Sequence, residues 1–162
     1  MSGFGSAILP TTFKKVLPQG LMDFTNSTGN DFKVALGVAS PAGTYDATFQ
    51  KFGTSAGAPS ATNMGTDEIP NGSGYTSGGY DITAANNTTP LTSGTTAYTT
   101  PGINPSWVAA TFTTSGCVIY NATNATWAAY VSGFGGAQTV TSGTFTILFP
   151  ANTVSTALIR LA

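Results

Sequence analysis

The chain has 162 residues, of which only 7% are Asp, Glu, Lys or Arg and none is histidine, and its formal net charge is -1. So small a charge gives no field that would draw in nucleic acid or anionic lipid, and the lack of histidine removes Ser-His-Asp triads, Cys-His pairs and histidine metal sites. The length suits one domain, residues 1–162, able to bury a sizeable core unaided, while the lone Cys117 can form neither an intrachain disulfide nor a multi-cysteine metal site.

The opening run, Met1-Ser2-Gly3-Phe4-Gly5-Ser6-Ala7-Ile8-Leu9-Pro10, lacks the basic start and long apolar stretch of a secretory signal. No window reaches the roughly 20 apolar residues that span a bilayer, so synthesis and folding in a cytoplasm is the expectation. Pro18 and Gly20 interrupt residues 13–24, which predicts a short strand or a single helical turn there. Residues 32–39 then alternate: Phe32, Val34, Leu36 and Val38 fall on one face at period two, with Lys33 and small residues on the other. That is the pattern of a half-buried strand.

Residues 41–105 are dense in Gly, Pro, Asn and Ser, yet carry Tyr45, Phe49, Phe52, Ile69, Tyr75, Tyr80 and Ile82 at intervals. Disordered tracts are depleted of such side chains, so this stretch is expected to be a long ordered insertion pinned to the body. Tyr45, Phe49 and Phe52 stand at helical spacing and predict one or two helical turns. From Trp107 onward, β-favouring runs at 107–112, 116–120, 127–131, 144–149 and 157–161 alternate with turn signals at Thr114-Ser115, 121–124, Gly133 with Gly135-Gly136, Ser142-Gly143 and 150–152. In the fourth run Phe145, Ile147 and Phe149 share one face, opposite Thr144 and Thr146. Short strands near ten-residue spacing, with no long helix among them, indicate an all-β fold: an antiparallel jelly-roll-like β-sandwich with a Gly/Thr-rich insertion at about 41–105.

Chemistry is sparse, and no catalytic, cofactor-binding or metal-ligating residue is assigned. Without histidine, a base must come from four lysines or six scattered carboxylates. The one adjacent acidic pair, Asp67-Glu68, would point to opposite faces of an extended chain, and a solvated turn is the expected setting. A calcium loop using Asp67, Glu68 and Asn71 has the right oxygen chemistry but no recognisable spacing. Gly72-Ser73-Gly74-Tyr75 lacks the third glycine, preceding strand and following helix of a phosphate cradle, so it reads as a turn. Trp107, Trp127, Tyr120 and Tyr130 sit in apolar runs and suit core packing. Tyr75, Tyr80 and Tyr98, in the insertion, are the candidates for a surface that stacks on a ligand such as a sugar.

The order 66–70 (Thr-Asp-Glu-Ile-Pro), 72–79 (Gly-Ser-Gly-Tyr-Thr-Ser-Gly-Gly) and 107–113 (Trp-Val-Ala-Ala-Thr-Phe-Thr), followed by 117–121, Gly133-Phe134-Gly135-Gly136, 143–150 and 157–162, resembles small β-rich virion structural proteins of tailed bacteriophages, of the head decoration or cement type. The resemblance covers roughly the last 100 residues. Around Phe134-Gly135-Gly136 that group leads one to expect acidic neighbours, where this chain has Gly133 and Ala137. It implies a non-enzymatic component of the virion, made in the host cytoplasm, whose partners are the major capsid protein and copies of itself, a trimer being one option. Five basic residues are few to guard the edges of so many strands, and cover by neighbouring copies is the expected remedy. A tail or neck protein, a carbohydrate-binding host-adhesion module and, more remotely, a hydrolase built on Asp67 and Glu68 are the rival readings.

Overall fold

Two long β-favouring runs set the frame, each continuing straight through residues that spell a turn. The computed structural model describes residues 3–162, so Met1 and Ser2 of the opening run lie outside it. Within those residues the order is β1 (Gly3–Phe4), α1 (Thr11–Val16), β2 (Phe32–Val38), β3 (Thr44–Tyr45), β4 (Tyr80–Ile82), β5 (Leu91–Ser93), β6 (Thr96–Thr99), β7 (Ser106–Asn121), β8 (Ala128–Thr146) and β9 (Ile159–Leu161). The protein is therefore mostly β, with one six-residue helix. None of its described helices is long and apolar enough to cross a membrane.

A four-stranded antiparallel sheet runs β4-β2-β7-β8, a three-stranded antiparallel sheet runs β5-β6-β9, and β1 pairs with β3 in parallel. Apolar side chains cover the larger sheet on both faces. On one, Phe32, Val34, Leu36, Cys117, Ile119 and Ala129 pack with Phe13 and Val16 of α1 and with Phe24, Ile82, Trp107 and Ile159. On the other, Ala35, Val118, Tyr120 and Val131 pack with Tyr45, Phe49, Phe52 and Met64. β2 is consequently buried on both sides rather than half-buried: Ala35 and Gly37, expected to face outward, lie under the 41–64 loops and Phe4.

Two expectations fail for local reasons. No helix forms at residues 45–52, because the Asp46 carboxylate accepts hydrogen bonds from the Thr48 backbone N–H (2.7 Å) and hydroxyl (2.7 Å). That side-chain turn competes with a helix for the same backbone donor. The turn signals at Thr114-Ser115, Gly133 to Gly136 and Ser142-Gly143 lie within β7 and β8, where they make bulges rather than reversals. Opposite Ser115 alone, β8 carries residues 134–137, since Thr114 pairs with Gln138 and Gly116 with Gly133. Small residues and Gly135 at φ 76° accommodate the excess. The signal after Asn121 does reverse the chain, between β7 and β8. The run expected at 144–149 is strand only as far as Thr146, but its alternation holds: Thr144 and Thr146 are exposed, while Phe145, Ile147 and Phe149 are half-buried against the core margin rather than inside it.

One row of glycines shapes the second face. Gly37, Gly116 and Gly133 are paired across β2, β7 and β8, and the Phe4 ring lies over them. A Cβ on Gly37 would fall 2.1 Å from Phe4 Cε2, and one on Gly116 would fall 2.3 Å from Phe4 Cγ. Phe4 also stacks on Tyr45 at 4.4 Å. Gly37→Ala is expected to destabilise the protein by about 1–3 kcal/mol through overpacking, and by much less when Phe4→Ala has already removed the ring. Urea unfolding of the two single variants and the double variant measures that coupling; additive effects would show that the ring is not what excludes a side chain at Gly37.

Candidate functional site

The Asp67-Glu68 pair does diverge, as extended neighbours must, but into the protein rather than into solvent. Both residues are buried, at 4% and 3% exposure, which corrects the expectation of a solvated turn. Asp67 closes a short 3-10 turn (Gly65–Asp67), and its carboxylate accepts from the backbone N–H of Ala42 (2.9 Å) and Gly43 (2.7 Å) and from the Tyr45 hydroxyl (2.8 Å). Glu68 is bridged to Gly37 of β2, and its Oε1 accepts from the Tyr75 hydroxyl (2.6 Å) and the Gly78 backbone N–H (2.7 Å). Its Oε2 is buried with no hydrogen-bond partner among the described residues. Among the described residues the ion pair is Lys33 with Asp81 at 3.0 Å, its Lys33 side chain 31% and its Asp81 side chain 65% exposed.

These two carboxylates hold loops together. Asn71, the third residue of the calcium alternative, is exposed and accepts weakly from the Ser77 N–H at 3.4 Å. Among the described residues no three Asp, Glu, Cys or His side chains gather as a metal set.

The three tyrosines read as a stacking surface part company. Tyr75 is in the core at 2% exposure, facing Trp107 at 6.1 Å, with its hydroxyl donating to Glu68 and accepting from the Leu36 N–H at 3.0 Å. It is not a surface residue. The apolar flank supplied by Trp107 and Phe112, joined to an acceptor at Glu68, satisfies both halves of a phenol and draws it inward. Tyr80, half-buried, sets its ring edge-on to Trp107 at 5.7 Å beside a cleft with Lys33, Thr76 and Asp81. Tyr98, half-buried on β6, borders a small apolar cleft of about 120 Å³ with Phe13, Leu17 and Ile159. The two clefts have no wall in common. Of the four aromatics expected in the core, Trp107 and Tyr120 are buried, while Tyr130 is half-buried and Trp127 is half-buried beneath Lys51, whose Nζ lies 4.0 Å from the ring centre.

A larger concavity than either cleft lies elsewhere, where the chain ahead of α1 crosses the sheet. A groove of about 650 Å³ is walled by Gly5, Ser6, Ser40, Ser115, Gly135 and Ala137, with Phe4 among its lining residues. Among the described residues no charged side chain lines it, and hydroxyls and bare backbone are what they offer a ligand there. Neither Phe4 nor this groove was legible as a site. The available signal was an aromatic set between two glycines, Gly3-Phe4-Gly5, but its seat is three glycines far apart in the chain that only strand pairing aligns.

Burial pushes the Cys117 thiol up to about 12, which leaves it unreactive, in keeping with a packing role. Burial likewise raises Tyr45, Tyr75, Tyr120 and Tyr130 above the usual phenol range, reinforced by Asp67 at Tyr45 and by Glu68 at Tyr75 and Tyr120. Comparison with protein families, curated proteins and solved structures finds no match to this chain.

Two outcomes follow from this geometry. Asp67→Asn is expected to cost about 1–3 kcal/mol in urea unfolding, because its amide nitrogen would confront donors that now have an acceptor. Glu68→Gln should cost clearly less, since Oε1 can keep both bonds and the amide can take the unpartnered position; equal costs would contradict this assignment of donors. For the four raised phenols, the native state holds the proton more tightly than the unfolded chain. Their contribution is complete below the unfolded value of about 10 and is lost as pH rises beyond it. Phenolate absorbance at those residues should appear together with loss of fold, whereas smooth ionisation in a folded protein would argue against their burial.

Proposed function

We propose that this chain is a non-enzymatic structural protein of a bacteriophage virion, a decoration or cement protein seated on the outer surface of the head against the major capsid protein and copies of itself. The observation that carries this reading is the distribution of charge. Every charged residue except Arg160 falls between Lys14 and Asp81, so the chain from Ile82 to Ile159, which includes β5 to β8, has none. A surface of hydroxyls, amides and backbone costs less to desolvate than a charged one and has little side-chain entropy to lose when covered. It is also poorly suited to standing alone in water, because net charge is what keeps proteins apart.

The two acidic residues that a hydrolase would need are occupied with backbone and phenol donors, which favours a structural role for them. The burial of Tyr75 takes away one of the three aromatic candidates for an adhesion module. The jelly-roll-like reading of the sandwich belongs to the same proposal, with the doubly covered four-stranded sheet and the three-stranded sheet as its layers.

The expected result is hundreds of copies per particle by quantitative mass spectrometry of purified virions, with density on the head by cryo-microscopy. A handful of copies confined to the neck or tail would overturn the decoration role, and absence from particles would overturn the virion assignment.

A further inference from the structure

A protein that multiplies on a surface needs a source of binding energy, and this one has little of the usual kinds. Its exposed large apolar side chains, Leu91, Val108, Leu148 and Val154, are scattered over β5, β7 and the chain after β8, and much of its surface has no charge to pair. The segment formed by residues 3–8 is different. It completes the molecule entirely through contacts that another copy could supply.

Its backbone bonds join two edges: Gly3 N–H donates to Gly43 O (2.6 Å) and Gly5 N–H to Tyr45 O (3.0 Å), while Gly133 N–H donates to Gly5 O (2.9 Å). Ile8 and Val131 exchange a reciprocal pair, at 2.9 and 3.0 Å. The segment thereby caps the outer side of β8, the last strand of its sheet, and plugs the Gly37-Gly116-Gly133 seat with Phe4. Between these anchors, Ser6 and Ala7 are exposed and make no hydrogen bond with the described residues. The segment joins the body at Leu9-Pro10. Pro10 is extended (φ -56°, ψ 150°) directly before α1, and the proline ring holds the preceding residue out of helical geometry. A strap tied by backbone pairing and one ring, and joined through an extended proline, can place the same contacts on a neighbour.

We propose that residues 3–8 are exchanged between copies of this chain, each strap seating its Phe4 on the glycine row and its Ile8 beside Val131 of another copy. This rests on the reading above that the chain associates with itself. Exchange requires no new complementary surface, because every contact is one the fold already makes.

The reciprocal Ile8–Val131 pair provides the test. Such antiparallel partners have Cα atoms about 5.5 Å apart, within the roughly 4.4–6.8 Å that a disulfide spans. Ile8→Cys with Val131→Cys, in a Cys117→Ser background, is expected on oxidation to run on a non-reducing denaturing gel at multiples of the chain mass, and to need both cysteines to do so. Cross-linking solely within single chains would overturn exchange. Should that variant fail to fold, Phe4→Ala is expected to shift the otherwise native protein to single chains in light scattering, and an unchanged multimer would overturn the proposal. The two readings fail separately: exchanged chains absent from virions would sink the virion assignment alone, and a head-bound protein cross-linked only within its own chain would sink exchange alone.

Discussion

Two adjacent carboxylates, buried and in no ion pair with any described residue, are the constraint on which the rest of this structure depends. A charge withdrawn from water costs several kcal/mol unless hydrogen bonds replace its hydration, and Asp67 and Glu68 find theirs in opposite directions. Asp67 binds the loop at Ala42 and Gly43 and orients Tyr45. Tyr45 stacks on Phe4, Phe4 fills the glycine row, and the strap that carries Phe4 closes the edge of β8. Glu68 orients Tyr75, which packs against Trp107 and Phe112; these in turn meet Phe145, and Phe145 meets Phe134. One dipeptide thus starts an aromatic chain on each face of the four-stranded sheet.

Sheet edges are managed with little charge. β4, β5 and β9 are three residues long, too short to template much pairing. β8 is long, but the strap covers it up to Gly133, the 134–137 bulge deforms it next, and a further register shift falls between Val140 and Gly143. Bulges and a covering segment are alternatives to lysine in blunting an edge. Lack of charge is therefore not by itself a reason that neighbours must cover the edges, and the case for association rests instead on the uncharged stretch of chain from β5 to β8 and on the strap.

Polar groups do in the loops what charge pairs do in other proteins. Asn121, fully buried at the end of β7, donates to Leu21 O (2.8 Å) and Asn30 Oδ1 (2.7 Å) and accepts from the Thr123 and Asn124 N–H groups, both at 2.9 Å. It thereby turns the β7–β8 connection and ties the 21–30 loop to it. All its hydrogen-bonding capacity is used, which is the condition under which a buried amide stabilises rather than disrupts.

The sequence by itself determined the class of structure, since period-two alternation and β-branched or aromatic composition are local properties of a strand. Residues 32–38, the runs within 106–121 and 128–146 and the burial of Cys117 were legible that way, whereas for residues 13–24 the local pattern left a short strand and a single helical turn equally open, and the structure has a helix at Thr11–Val16. The tertiary structure alone decided which small residues turn the chain and which bulge: Asn121 and Gly133 carry similar local signals, but pairing with β7 holds Gly133 in register while the Asn121 amide caps a reversal. It also decided the fate of Asp67, Glu68 and Tyr75. In sequence they look solvent-facing because they are polar and loop-borne, yet each is drawn inward by a partner up to 39 positions away, as Tyr75 is by the Leu36 N–H. The seat of Phe4 is the extreme case, because three glycines become one surface only when β2, β7 and β8 lie side by side.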